Sequence, residues 1–241
     1  MAVVLENVQN AGATGTGGGT LVITKPTGLT AGELMVVFLT AENTLAAVPS
    51  ETGWTSILNN TTANGDGSYI AAWQKVASAG DAAASNFTFN QPSSYTDANG
   101  SFAGILCRIS GFNTVTPIGA SAGGESTGTN QSHAITITPS ANSLLLFMIS
   151  PQINLQTSAQ AITTSNPTWT ENVDAVADWT GGTTFDSGYS LASAIRPEST
   201  ATGNGTFTLS DTGRALSIIV AVSPVAVATQ ANPTLLLMGV G

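Results

Sequence analysis

Apolar and polar residues alternate in short runs along most of the chain, and Gly, Asn and Pro interrupt almost every run. Residues 206–210 (Thr-Phe-Thr-Leu-Ser) and 86–90 (Asn-Phe-Thr-Phe-Asn) place apolar side chains on one face and polar ones on the other. A half-buried strand requires that pattern. Residues 20–24 and 133–138 read the same way, and Leu216, Ile218, Val220 and Val222 line one face of a longer strand. Two runs, 34–39 and 144–149, are apolar without interruption, which suits central strands covered on both faces. No stretch carries a convincing amphipathic helix. The expected class is all-β.

Charge narrows the possibilities further. Only 8% of residues are charged, against roughly a quarter in ordinary soluble domains. Coiled coils and long solvated helices need far more, and disordered tails combine charge with low hydrophobicity. The net charge is −9, and the five basic residues, Lys25, Lys75, Arg108, Arg196 and Arg214, are scattered. Nucleic-acid surfaces and anionic membranes attract clustered Lys and Arg, so neither is an expected partner. The apolar runs are too short to span a bilayer as helices, and the first residues lack the pattern of a secretory signal. Cys107 is the only cysteine, which excludes an intrachain disulfide and reads as a small buried apolar residue. Synthesis in a cytoplasm is the expectation.

An internal repeat organises these strands. Residues 21–112 and 133–224 carry the same elements in the same order: a short alternating strand ending near a proline, a long apolar run, a Trp-Thr pair, a Tyr-led strand, a Phe-Thr strand and a closing apolar strand. Trp54 aligns with Trp169, Tyr69 with Tyr189, and Phe87 with Phe207. The expected fold is a jelly-roll-like two-sheet β-sandwich built from two similar halves. Two tandem small β-sandwiches are the alternative. Residues 1–20 read as an N-terminal arm, 113–132 as a linker inside the sandwich at 21–224, and 225–241 as an apolar C-terminal extension. Within that extension Leu235, Leu236, Leu237 and Met238 are candidate subunit-interface residues, because such a run left in water invites strand pairing.

Candidate chemistry is thin. Ser121 and Ser126 sit in Gly-x-Ser-x-Gly pentads, at 119–123 and 124–128. That motif works where a strand turns sharply into a helix and lifts the hydroxyl towards a base. No helix pattern follows here, and His133 is the only histidine that could serve either serine. Asp174, Asp178 and Asp186 cluster in sequence without the spacing of a calcium loop. The glycines at 15–19 lack the Lys-Ser/Thr of a phosphate loop. No catalytic residue, cofactor or metal is therefore expected. Tyr69 and Trp73 fall on one strand face and read as core. Trp54 and Trp169 read as core plugs or, if exposed, as platforms for sugar rings.

The arrangement Lys25-Pro-Thr-Gly-Leu-Thr-Ala-Gly-Glu-Leu-Met-Val-Val37, Gly-Trp-Thr at 53–55, residues 69–76, Ala-Gly-Asp at 79–81, Phe-Thr-Phe at 87–89 and Ile-Ser-Gly at 109–111 resembles β-sandwich domains of tailed-bacteriophage virion proteins. It covers roughly residues 20–223 and carries no catalytic residues to transfer. The resemblance implies a structural part of the virion, assembled in the bacterial host cytoplasm. Its partners would be its own copies, as a homo-oligomer, and other capsid or tail proteins. A capsid decoration protein is the leading expectation. A tail-fibre or spike component that binds a host-surface glycan is the alternative.

Overall fold

The computed structural model describes residues 2–15, 20–41, 51–61, 68–90, 100–151, 157–164, 167–177 and 187–226. The two uninterrupted apolar runs become β3 (Leu34–Ala41) and β9 (Ser143–Pro151), and every residue of both is buried. Each is a central strand. β3 pairs antiparallel with β5 (Tyr69–Val76) and β7 (Gly100–Ser110). β9 pairs in the same way with β12 (Ser187–Arg196) and β13 (Gly205–Val222).

Adding β1 (Val4–Gly15) and β4 (Thr55–Thr61) gives a first sheet in the order β1-β7-β3-β5-β4. Adding β8 (Ile118–His133) and β11 (Thr170–Ala177) gives a second in the order β8-β13-β9-β12-β11. The two orders correspond strand for strand. β10 (Thr157–Ile162) pairs with the leading part of β13, while β2 (Thr20–Thr24) and β6 (Asn86–Asn90) form a separate ribbon packed against the first sheet. Among the described residues one short helix, α1 (Ala79–Ala83), is closed by a capping box between Ser78 and Asp81.

The correspondence reaches single residues. Leu34 lies opposite Ile109 and Val76, as Leu144 lies opposite Val222 and Ile195. Followed outward, that register matches Glu6 with Gly119, each the extra residue of a β-bulge. It also matches Ile57 with Asn172, again both bulged. Bulges are specific insertions that re-aim a strand, so their recurrence marks two copies of one design. Trp54 and Trp169 fall in register, as the sequence alignment has them. Tyr69 and Tyr189 do not: β5 holds one more residue between Tyr69 and Val76, opposite Leu34, than β12 holds between Tyr189 and Ile195, opposite Leu144. Tyr69 therefore packs in the outer cluster of the first sheet and Tyr189 in the cluster between sheets.

Two sequence boundaries need correction. The expected arm at 1–20 contains β1, and the expected linker at 113–132 contains most of β8. Both β1 and β8 are rich in Gly, Ala, Ser, Thr and Asn and lack clean alternation, so pairing with β7 and β13 decides their conformation. The reverse holds at 134–138, which alternate in burial but belong to no strand. Ile137 gives its N–H to the Thr202 hydroxyl and accepts from the Thr202 N–H, 3.0 and 2.8 Å.

The sheets pack face to face around one core. Leu34, Val36 and Phe38 of β3 meet Leu144, Leu146 and Met148 of β9 there. The chain is a single two-sheet β-sandwich made from two similar halves, each half supplying one sheet, and the tandem alternative fails because the core is shared. Met35, Val37 and Leu39 point the other way, under Leu21, Ile23, Phe87 and Phe89. Leu145, Phe147 and Ile149 lie equivalently under Ile135, Ile137, Phe207 and Leu209.

One polar pair bridges the shared core. The Thr40 and Ser150 hydroxyls lie 2.5 Å apart and occupy equivalent positions in the two halves. Thr40 Oγ1 also reaches the Tyr69 carbonyl at 3.0 Å and Ser150 Oγ the Gly188 carbonyl at 3.3 Å, again equivalent acceptors. Three buried contacts thus share two hydroxyl protons. Thr40→Val or Ser150→Ala alone strands a buried acceptor and is expected to cost about 1–3 kcal/mol. The double variant should cost less than the sum by at least about 0.5 kcal/mol. Urea unfolding of the four proteins measures both, and strict additivity would show the pair to be uncoupled.

Candidate functional site

The two Gly-x-Ser-x-Gly pentads lie on β8, an unbroken extended strand in which Ser121 faces Val220 and Ser126 faces Ala215 across the ladder. The sharp turn that presents a nucleophile is absent there. Their leading glycines serve packing. A Cβ on Gly124 would come within 2.6 Å of Ile135 and 3.1 Å of His133, and one on Gly119 within 2.5 Å of the Ser223 hydroxyl.

His133 is fully buried. Its Nδ1 lies 2.5 Å from Ser217 Oγ, and its ring meets Phe207 edge-on at 4.9 Å. Burial pushes its pKa down to about 4, against a weaker raising effect of the Gly124 backbone. A histidine and a hydroxyl in contact are the beginning of a nucleophile–base pair. Zero exposure leaves a substrate no approach to this one, and the ring stays neutral to fasten β8 against β13.

The remaining ionisable groups have structural partners. Lys25 Nζ donates to the Ala82 carbonyl at 2.5 Å, and Lys75 pairs with Asp81 at 2.7 Å. Arg108 grips Glu33 with two nitrogens, both at 2.8 Å, and the Thr27 carbonyl with a third. Arg196, 1% exposed, donates to Thr200 and Ala201 and so ties down the turn after β12. Arg214 pairs with Glu125 across β13 and β8 at 3.0 Å. All five basic residues are engaged within the chain. Burial of Glu33 and Asp81 opposes ionisation, but Arg108 and the Thr30 N–H on one, and Lys75 and Ser78 on the other, outweigh it and hold both carboxyls below their usual range.

Asp174 is exposed on β11, opposite Ser190; Asp178 and Asp186 lie outside the described residues. Among the described residues no three His, Cys, Asp or Glu side chains gather as a metal site, and no helix is long and apolar enough to cross a membrane. Cys107 is buried, and burial pushes its thiol pKa up. Leu235, Leu236, Leu237 and Met238 lie outside the described residues, as do the glycines at 16–19.

Trp54 and Trp169 are half-buried. Trp54 packs against Phe87 and Phe89 at 6.2 and 5.4 Å, and Trp169 against Phe147 at 6.1 Å. Each plugs an outer cluster of its own half, and the Trp169 indole nitrogen is buried without a hydrogen-bond partner.

Two adjoining grooves share Ala2, Val3 and Ile195. A groove of about 780 Å³ runs between residues 2–5, at the start of β1, and Thr168, Ala194 and Pro197. A second, of about 600 Å³, continues from Val3 and Ile195 to Asn142, Pro224 and Ala226. Sequence reasoning missed both grooves, as it missed the Arg108–Glu33 fork, because each joins residues from distant segments. No family model, curated protein or solved structure matches the chain.

The buried histidine sets a pH dependence. Unfolded histidine titrates near 6.5, and His133 in the fold near 4. Between those values the unfolded chain binds a proton that the folded chain refuses. Its stabilising effect is therefore complete above pH 6.5 and declines as pH falls through the window, by up to about 3 kcal/mol. Chemical denaturation from pH 7 to pH 4 should follow that slope, and His133→Gln should flatten it. An unchanged slope in the variant would assign the dependence elsewhere.

Proposed function

We propose that this chain is a non-enzymatic structural protein of a tailed-bacteriophage virion, a capsid decoration protein that works by symmetric association with its own copies and with other particle proteins. The observation that carries the reading is the use made of the residues in the phage-like sequence pattern. Lys25 and Glu33 anchor the turn before β3, Glu33 through Arg108 of β7. Asp81 caps α1 and holds Lys75. The pattern is thus a set of fasteners, which suits a part valued for rigidity rather than turnover. The buried His133–Ser217 contact and the engagement of every basic side chain point the same way. Location in the virion, after assembly in the bacterial host cytoplasm, follows from the same reading.

Analytical ultracentrifugation of the full chain, alone and mixed with phage capsids stripped of their outer proteins, tests this proposal. A symmetric oligomer that saturates the capsid surface is expected. A stable monomer that stays in the supernatant overturns it.

A specific observation favours a second reading, a receptor-binding part of a tail fibre or spike. Trp54 and Trp169 occupy equivalent positions in the two halves and are only half-buried there, and aromatic residues open to solvent stack well on sugar rings. On a glycan array this reading expects one class of sugar to be retained, with signal lost in Trp54→Ala or Trp169→Ala. An array without specific binding removes it.

A further inference from the structure

The two halves differ at one equivalent place. In the first half Lys75 extends from β5 over Gly53, its Nζ 3.9 Å from where a Cβ on that glycine would stand. Asp81, in the segment after the strand, holds it there at 2.7 Å. Matching Val76 to Ile195 and Thr55 to Thr170 puts Ala194 where Lys75 is and Thr168 where Gly53 is. Ala194 and Thr168 both line the larger groove. The second half thus has no lysine at this register position, yet it keeps a carboxylate after the equivalent strand. Glu198, its side chain 49% exposed, lines the same groove. Arg196, 3.9 Å from that carboxylate, is buried and donates to Thr200 and Ala201.

The groove lies where the edges of the two sheets come together. β1 ends the first sheet and β11 the second, and among the described residues each has a ladder partner on one side only. The open side of such a strand presents N–H and C=O groups that another extended chain can take up. Val4 and Ile195, each 43% exposed, wall the groove, and the buried Val3 and Leu144 also line it. A volume of about 780 Å³ lies in the range of sites that enclose apolar groups of drug size. β1 and β11 carry no Lys, Arg or His. Glu6 and Glu171, next in sequence to the groove residues Leu5 and Thr170, are exposed.

We propose that the larger groove binds an extended segment of another protein, which sets an apolar side chain against Val4 and Ile195 and a lysine beside Thr168, with Glu198 as the partner of its ammonium. That lysine takes the place Lys75 holds in the first half, supplied from outside instead of by the chain itself. Successive side chains of an extended segment point to opposite sides, so one face of it meets the apolar wall and the other the carboxylate. Charge favours this occupant over a second copy of the chain. A twofold contact sets a patch against itself and would bring Glu6, Glu171 and Glu198 of two copies together. Each copy has a net charge of −9 and engages its basic side chains internally. The inference does not rest on the virion reading.

Fluorescence polarisation with the full chain tests it, using a short labelled peptide of alternating valine and lysine. Saturable binding is expected, and none of the matching peptide in which glutamate replaces lysine. Glu198→Gln, a change at an exposed side chain, should weaken binding several-fold. Ala194→Lys, which copies the first half's arrangement, should abolish it. Val22→Lys makes the same change of net charge on the exposed face of β2 and should leave binding as it was. In a separate readout the peptide should slow amide exchange at residues 3–5 and 194–195 several-fold and leave the centre of β3 unchanged. Failure of the lysine peptide to bind, equal binding of the glutamate peptide, unchanged affinity in Glu198→Gln, or equal losses in Ala194→Lys and Val22→Lys would each overturn the proposal. Slowing of the same amides by raised protein concentration without peptide would assign the groove to a second copy and overturn it as well.

Discussion

Two sheets of similar shape face each other across a layer to which each contributes the same positions of the same strands. Leu34, Val36 and Phe38 meet Leu144, Leu146 and Met148, and neither set could stay dry without the other. A single such sheet carrying only its outer cover would leave a whole apolar face in water. The halves are therefore not independent bodies that happen to touch. Their contact is isologous in the manner of a twofold dimer: β1 meets β11 as β8 meets β4, and β7 meets β12 as β13 meets β5. Thr40 and Ser150 lie where equivalent residues come together, which is why a polar pair can stand inside this layer with each hydroxyl backed by its own neighbouring carbonyl.

That arrangement accounts for how so few charges suffice. A sandwich with apolar layers inside and on both outer sides needs polar groups mainly to fix turns and edges, and its ionic groups are found there. Arg108 and Glu33 hold the turn before β3, Lys75 and Asp81 the helix after β5, and Arg196 the turn after β12. Forked Arg–carboxylate contacts are among the more geometrically exacting ion pairs. Arg108 and Glu33 are mostly shielded from solvent, so this pair is screened less than an ordinary surface bridge.

Sequence reasoning recovered what burial dictates and lost what only pairing dictates. β3 and β9 announce themselves because strands covered on both faces must be apolar throughout. The repeat is visible because aromatic residues such as Trp54 and Trp169 punctuate it, yet the match of Tyr69 with Tyr189 is a residue out of register, and in a strand one residue exchanges faces. β1 and β8 escaped notice because edge strands of Gly, Ser, Thr and Asn carry no periodic signal. The serine pentads on β8 show the same limit from the other side. Their glycines are required, but by the side chains of Ile135, His133 and Ser223 that crowd them, and those neighbours are distant in sequence or across the sheet.

Near-symmetry also makes departures from symmetry informative. Where both halves solve one packing problem in one way, as at the bulges around Glu6 and Gly119 or Ile57 and Asn172, the solution belongs to the fold. Where they part, the feature belongs to one half alone. The first half has α1 and a lysine laid across Gly53, while the second has a tight turn held by Arg196 and Thr202, with Ala194 beside Thr168. The first arrangement fills its own surface, and the second leaves a groove bordered by exposed Val4 and Ile195. Lys75 lies over its glycine in the first half, and Ala194 holds that register position in the second. The opening is therefore a part of the molecule that the design shared by the two halves does not explain.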